Sequence, residues 1–440
     1  EIVDAALAQG LHVALVDKGP LGGTCDNVGC VPSKMVIASA DRVAEIQEAS
    51  RLGIQARVER VDFAGIMEFA RQHRAETQAH VREGIRAAER LDWYERVGFF
   101  VDERTLQVGE RQIQGDRIFI VAGARPLVPE IEGLADIPYL DNESVFELRE
   151  RPDSLAIIGG GYIAVEFAHF FAAMGTEVTV LQRNRYLVPD EEPEISERLY
   201  EVLSRRVNIH LETEVAKVAS DGKGYRLTGP HRPDGMLREV HAQHVMLAAG
   251  RRSNADLLQV QNAGIETDKH GYIRVNDYLE TNLPHVWALG DVTGRYMFKH
   301  VANREALFAW YNSQHEEKVA LDYGQIPHAI FTRPQVAAVG LTEAQAREKH
   351  NVLVGRASYT DVVKGVALRA EEGFAKAIVD AGSRRILGFH IIGPYAPILI
   401  QEVINVMATD GRASALSFGL HIHPALPELV VRAMESLQPG

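Results

Sequence analysis

The sequence predicts an α/β protein: two Rossmann-like dinucleotide-binding domains followed by a C-terminal α+β domain. Three observations carry that prediction. A glycine-rich turn between a buried strand and a helix occurs at 154–185. A helix and strand ending in an acid open the chain. From "IPHAIFTRPQVAAVGLTEAQAREK" onward, strands alternate with two amphipathic helices, at 343–349 and 395–410.

In "EIVDAALAQGLHVALVDKGP" the pattern predicts a helix from Ile2 to Gln9, stopped by Gly10, and a strand from His12 to Val16. Asp17 stands at the strand's end, where an acid in a βαβ dinucleotide unit holds a ribose hydroxyl. The first strand and glycine turn of that unit are expected just upstream and are missing from the chain.

The second unit is complete. "SLAIIGGGYIAVEFAHFFAAMGTEVTVLQRNR" reads as a strand from Leu155 to Ile158, the turn Gly159-x-Gly161-x-x-Ala164, a helix to about Met174 and a strand from Glu177 to Leu181. Gly159 permits the tight turn, Gly161 lets the backbone approach a pyrophosphate, and Ala164 allows close helix–strand packing. The phosphates would sit at the helix N-terminus. After the second strand an NAD site presents an acid, whereas arginine accommodates the 2′-phosphate of NADP. Here Gln182 is followed by Arg183 and Arg185, with no acid before Asp190, which favours NADPH. The alternative is a pair of solvated surface arginines.

Further on, "ASDGKGYRLTGPHRPDGM" (219–236) reads as a strand flanked by hairpin loops. "TNLPHVWALGDVTG" (281–294) is a short apolar strand ending in Gly290-Asp291, a suitable place for an acid to grip a ribityl or ribose hydroxyl.

Composition narrows the function. With 47 basic and 60 acidic residues among 440, the net charge of −13 argues against nucleic acid or an anionic membrane surface as partner. No apolar stretch reaches the ~18 residues of a membrane span, and no secretory signal is visible. The only two cysteines, Cys25 and Cys30, lie in "GGTCDNVGCVPSK" (22–34). A close pair in a large chain of a reducing, cytoplasmic compartment points to catalysis or redox sensing.

Four readings of the pair compete. Zinc needs about four Cys or His ligands, and no His lies nearby, so no metal is expected. A structural disulfide would be a solitary staple. Two inert core cysteines would not need the surrounding glycines and lysine. A redox-active dithiol fits best. Pro32 suits the first turn of a helix through "SKMVIASADRVAEI", and Cys30 then lies just before its N-terminus, where the dipole and Lys34 favour a thiolate. In a regular helix residues five apart are separated by about 8–9 Å, too far for a disulfide, so Asp26–Gly29 must depart from regular helix.

The stretch Gly-Gly-Thr-Cys-x-Asn-Val-Gly-Cys-Val-Pro-Ser-Lys closely resembles the active-site segment of the flavin disulfide reductases, the class I pyridine nucleotide-disulfide oxidoreductases. These include dihydrolipoamide dehydrogenase and glutathione, mycothione and mercuric reductases. The resemblance extends to "GGGYIAVEFA", "AAGRRSN" (248–254), "WALGD" (287–291) and "HPALPE" (423–428), and so to the whole chain after the missing strand. It implies an FAD domain at 1–149, an NAD(P) domain at 150–268, a return of the FAD domain at 269–324 and a dimerisation domain at 325–440.

It also implies roles. Cys30 would be the flavin-proximal, charge-transfer sulfur and Cys25 the interchange sulfur that meets substrate. Lys34 would sit by the flavin and pair with Glu166, and Tyr162 would gate the nicotinamide pocket. Asp291 would hold the flavin ribityl chain and Asp17 the adenosine ribose. Arg251 would touch the nicotinamide nucleotide, and Gly23, Thr24 and Gly250 join the cofactor contacts. His423 would be the base, oriented by Glu428 and shared across a homodimer interface.

Mercuric reductases lack that histidine and end in a vicinal cysteine pair, whereas this chain ends "MESLQPG". "HIHPALPE" resembles both dihydrolipoamide dehydrogenase and mycothione reductase, and "FKHVANREA" (298–306) resembles the latter. The expectation is an FAD enzyme linked to NAD(P)H. Dihydrolipoamide oxidation comes first, and NADPH-driven reduction of a low-mass disulfide second. A non-catalytic nucleotide-binding relic is the rival from another class, motivated by the missing strand.

Overall fold

The computed structural model describes residues 1–439, whose contacts divide into two compact units. The first comprises residues 1–33, 68–127 and 250–322. It opens with the helix Ile2–Ala8, after which Gly10 takes a φ of 75° that favours glycine and turns the chain. The strand Val13–Val16 follows, one residue shorter than the pattern suggests, and pairs in parallel with Leu91–Tyr94. A second parallel pair joins Ile118–Ile120 to Val286–Ala288. Phe100, Ile120, Ile265, Ile273, Val286 and Val292 form the core here, and the Phe119 and Trp287 rings stack at 5.1 Å.

The second unit comprises residues 34–67, 128–249 and, of the described residues, 323–439. Its four-stranded parallel sheet runs in the order Asn208–His210, Glu177–Leu181, Ser154–Ile158, His244–Leu247. Leu155, Ala156 and Ile157 are fully buried, as the uninterrupted apolar runs of a sheet covered on both faces require. The helix Tyr162–Ala173 is buried almost throughout. Residues 225–230 are the middle strand of an antiparallel three-stranded sheet, as the flanking turns suggest.

The C-terminal part is a six-stranded antiparallel sheet packed under the helices Ala396–Met407 and Glu428–Glu435, with Tyr359, Phe389, Val403 and Leu429 in its core. The two helices read from the sequence occupy Glu343–Arg347 and Ala396–Met407. Helices at Val363–Ala367, Ala413–Phe418 and Glu428–Glu435 were not legible. They run five to eight residues, too short for a periodic pattern to stand out, and packing stabilises them.

Candidate active site

The cysteines sit on two helices joined at one residue. Gly23–Val28 forms a short helix carrying Cys25, and Cys30 is the first residue of a helix running to Glu48, hereafter the cysteine helix. The break is Gly29, with φ −136° and ψ −118°. A Cβ there would come within 2.8 Å of the Thr24 carbonyl oxygen, so only glycine lets the two helices approach. The segment thus departs from regular helix as expected, at a single residue. Cys30 opens the helix rather than preceding it, which places its sulfur nearer the positive end of the dipole.

Buried Asn27 anchors the short helix. Its amide donates to the carbonyls of Leu21 and Gly23 at 2.8 Å each, and its oxygen accepts from Gln78 at 2.5 Å. No disulfide joins the two cysteines; Cys25 is half-buried and Cys30 exposed. A hydrogen bond to Cys30 pushes the Cys25 thiol well up from its ordinary range, with burial adding to it and Lys299 opposing. A Cys25 thiol held in this way keeps its proton until a base removes it.

The same unit gathers the residues expected to hold a flavin nucleotide. Asp17 follows its strand and accepts from the Gly19 amide at 2.7 Å. Asp291 lies in the single helical turn Gly290–Thr293. Burial raises its pKa above the usual carboxylate range, and the Arg251 guanidinium, 3.5 Å away, opposes this. That turn is held by Glu305, fully buried, whose carboxylate accepts from the Gly290 amide at 2.7 Å. Glu305 was missed as a site residue; its signal was a carboxylate on the buried face of an amphipathic helix. Arg251 also donates to the Ala124 carbonyl. Gly250, before it, has a φ of 120°, and at Gly23 a Cβ would meet only open space, so backbone is exposed to a ligand there. A half-buried carboxylate and an open glycine backbone fit the sugar and phosphate of FAD.

In the second unit Lys34 donates to both oxygens of Glu166, at 3.0 and 2.8 Å. The Glu166 side chain is 5% exposed and that of Lys34 34%. Glu166 also accepts from the Phe331 amide at 2.8 Å, and the Lys34 ammonium lies 4.9 Å from the Phe331 ring. The carboxylate is thus satisfied on both oxygens, and Phe331, which the sequence did not single out, completes its cradle.

The glycine turn has the shape expected of it. Gly159 has a φ of 123°, and a Cβ there would clash with the Ala248 carbonyl. At Gly161 nothing lies within 4 Å of a Cβ position, which leaves room for a phosphate at the start of the helix. Tyr162 is exposed and Ala164 fully buried. Beyond the strand, Gln182 is buried and donates to the Tyr186 carbonyl, whereas Arg183 and Arg185 are exposed, the latter stacked over the Tyr186 ring. The position where an acid would hold a ribose carries a neutral, occupied side chain.

His423 and Glu428 meet through Nδ1 and Oε1 at 2.9 Å, and the second carboxylate oxygen accepts from the Ala425 amide. His423 holds the Glu428 carboxyl below its usual range, with the Ala425 amide contributing. The carboxylate therefore fixes the tautomer with hydrogen on Nδ1, and Nε2 is left as an acceptor on a ring that is 67% exposed. His421 cannot serve in the same way: Nδ1 bonds the Gly419 carbonyl and Nε2 the carboxylate of Glu402. Phe418, Leu420 and Ile422 stand exposed beside it.

Residues 2–306 match the family model described as pyridine nucleotide-disulphide oxidoreductase, and residues 326–434 match the dimerisation domain of the same enzymes. Mycothione reductase of Mycobacterium tuberculosis is 35% identical, over 97% of this chain and 95% of that protein. Mercuric reductase of Streptomyces lividans is 34% identical, over 98% and 92%. Dihydrolipoyl dehydrogenase of Chlamydia trachomatis is 31% identical, over 96% and 91%. Among solved structures, the HOCl-induced flavoprotein disulfide reductase RclA from Escherichia coli superposes with a TM-score of 0.87 at 26% identity, covering 99% of this chain and 96% of that one.

Proposed function

Because the chain belongs to the pyridine nucleotide-disulphide oxidoreductase family, whose members use FAD and NAD(P)H on sulfur substrates, we propose that it reduces a low-mass disulfide with electrons from NADPH. The observation that carries this reading is the end of the strand Glu177–Leu181, where Gln182 is buried and Arg183 and Arg185 face solvent. The likeness to a mycothione reductase along almost the whole chain supports it. Dihydrolipoamide oxidation is the second reading, favoured by the tail His423-Pro-Ala-Leu-Pro-Glu428.

Asp17, Asp291 and the open backbone at Gly23 would hold FAD, which would supply the two-electron link between the nicotinamide and the cysteine pair. With both thiols reduced, Cys25 is the substrate-facing sulfur, and His423 Nε2 takes its proton. The Cys25 thiolate attacks the substrate disulfide, forming a mixed disulfide and releasing one substrate thiolate, which the imidazolium protonates. The Cys30 thiolate then attacks the Cys25 sulfur. This releases the second thiolate and leaves a Cys25–Cys30 disulfide, two electrons poorer. Lys34, fixed in place by Glu166, holds its ammonium charge on a residue one helical turn from Cys30 and so favours the Cys30 thiolate. The base would come from a second copy of the chain, which the match to a dimerisation domain and the exposed Phe418, Leu420 and Ile422 beside His423 support.

Steady-state rates with NADPH and NADH against mycothione-type disulfide, lipoamide and glutathione disulfide test the reading. NADPH should give the higher kcat/KM, and Arg183→Ala/Arg185→Ala should raise its KM about tenfold while leaving that of NADH nearly unchanged. Preference for NADH with lipoamide as the fastest substrate would overturn it.

A further inference from the structure

The cysteine helix carries three ionisable residues at a spacing of seven: Lys34, Asp41 and Glu48. Seven residues advance a helix by about 10.5 Å with only about 20° of rotation, so the three share one face. Each finds a partner in the second unit. Lys34 meets Glu166, Asp41 meets His169, and Glu48 meets Arg333. Glu166 and His169 lie three residues apart on the helix Tyr162–Ala173 and hence on one face of it. The chemistry above uses only the first of these rungs.

The middle rung is built unlike a surface pair. His169 is 0% exposed, and its Nε2 lies 2.8 Å from Asp41 Oδ1. Its Nδ1 is buried without a hydrogen-bond partner. Burial holds the ring's pKa below its ordinary value, with Asp41 opposing and Arg206 and Arg333 reinforcing. The ring is therefore neutral, with hydrogen on Nε2, because the other tautomer would set a bare lone pair against the carboxylate. Phe170 and Phe171 beside it on the helix pack on Phe63 at 5.9 and 6.3 Å. The last rung is bidentate, with Arg333 Nη2 2.7 Å and Nε 3.1 Å from Glu48 Oε2. Arg206 donates to the Arg333 carbonyl at 2.5 Å.

We propose that His169, acting through Asp41, is a positioning residue that sets the rotation and axial register of the cysteine helix, and with them the placement of Lys34 and Cys30. One contact between two helices leaves them free to pivot; a second, about 10.5 Å along, removes that freedom. Arg206 and Arg333 also lie within electrostatic reach of Asp41, and Arg42 and Glu45 flank it on its own helix, so without His169 its carboxylate is drawn toward the arginines. The inference rests on the disulfide-reductase reading of Cys30 and Lys34.

The test uses flavin-loaded protein reduced by two electrons. It reads the pH midpoint of the long-wavelength charge-transfer band, together with kcat and the KM for the nicotinamide. His169→Leu is expected to raise the midpoint by about one pH unit and lower kcat about tenfold, with KM within about twofold of wild type. His169→Gln, which keeps a donor toward Asp41, should restore both. Asp41→Leu, at the partly exposed end of the rung, should reproduce His169→Leu and serves alone if that variant does not fold. Wild-type midpoint and kcat in the leucine variant that folds, whatever its melting temperature, would overturn the proposal. Lys34→Met separates the two failures. If it shifts the band and the leucine variants do not, only this inference falls. If wild type gives no band and Lys34→Met changes nothing, the reading beneath it has failed.

Discussion

Two carboxylates of this protein orient a nitrogen base, and they do so in opposite settings. Glu166 is reached from Lys34 across 132 residues of sequence, is 5% exposed and has both oxygens bonded. Glu428 stands five residues from its partner His423, on a ring that is 67% exposed. The first pair keeps a charge in place, which favours burial and full hydrogen bonding. The second suits moving a proton, which requires that one ring nitrogen remain open to whatever approaches.

The comparison is broken most directly by subunit exchange. Cys25→Ser and His423→Ala homodimers should each be inactive. Heterodimers formed from them should recover up to about half of wild-type activity, because one of the two sites is then intact. Heterodimers that form and stay inactive, measured after separation of differently tagged chains, would show that His423 does not serve a partner.

A second, smaller contrast uses the carboxylates themselves. Glu428→Gln should lower kcat about 10²-fold, because the Nε2 acceptor tautomer is no longer enforced and the imidazolium is less stabilised. Its melting temperature should stay that of wild type. Glu166→Gln should do the reverse in stability. It leaves the Lys34 ammonium without a counter-charge at a cost of about 1–2 kcal/mol, reduced by the partial exposure of Lys34, and melting falls by about 1–2 °C. Equal melting temperatures for the two variants would erase the distinction.

The smallest effect concerns acid stability. A third carboxylate group lies between these extremes: Lys376, 1% exposed, is ringed by Glu192, Glu194 and Glu343 at 2.6–2.8 Å. Arg356, then Lys376, holds the Glu194 pKa down at about 2 from its usual 4.5. A depressed carboxyl contributes stability that is complete above its unfolded pKa and is lost as pH falls through its folded one. Wild type should therefore lose melting temperature faster than Glu194→Gln between about pH 4.5 and 2. Parallel curves over that window would remove Glu194 from the account.

The features legible in the sequence were those set by neighbours in the chain. Gly159 and Gly161 announce a phosphate-binding turn because φ and the absence of Cβ are local properties. The Cys25–Cys30 spacing around Gly29 is local in the same way, and so is the His423–Glu428 pair, five residues apart. Short helices such as Glu428–Glu435 were illegible because eight residues carry too little pattern.

By itself, then, the sequence determined the order of the strand–turn–helix units, the close cysteine pair, the arginines after Gln182 and the spacing of His423 and Glu428. Only the tertiary structure decided what surrounds them. It sets Glu305 beneath the Gly290-Asp291 turn and Phe331 over Glu166, and it places His169 and Arg333 opposite a heptad of charges on the cysteine helix. Those partners lie from 15 to 285 residues away along the chain. Local propensity carries no information about which distant residues will meet, whereas burial does: a charge withdrawn from water must find a partner, and the fold alone determines which one is within reach.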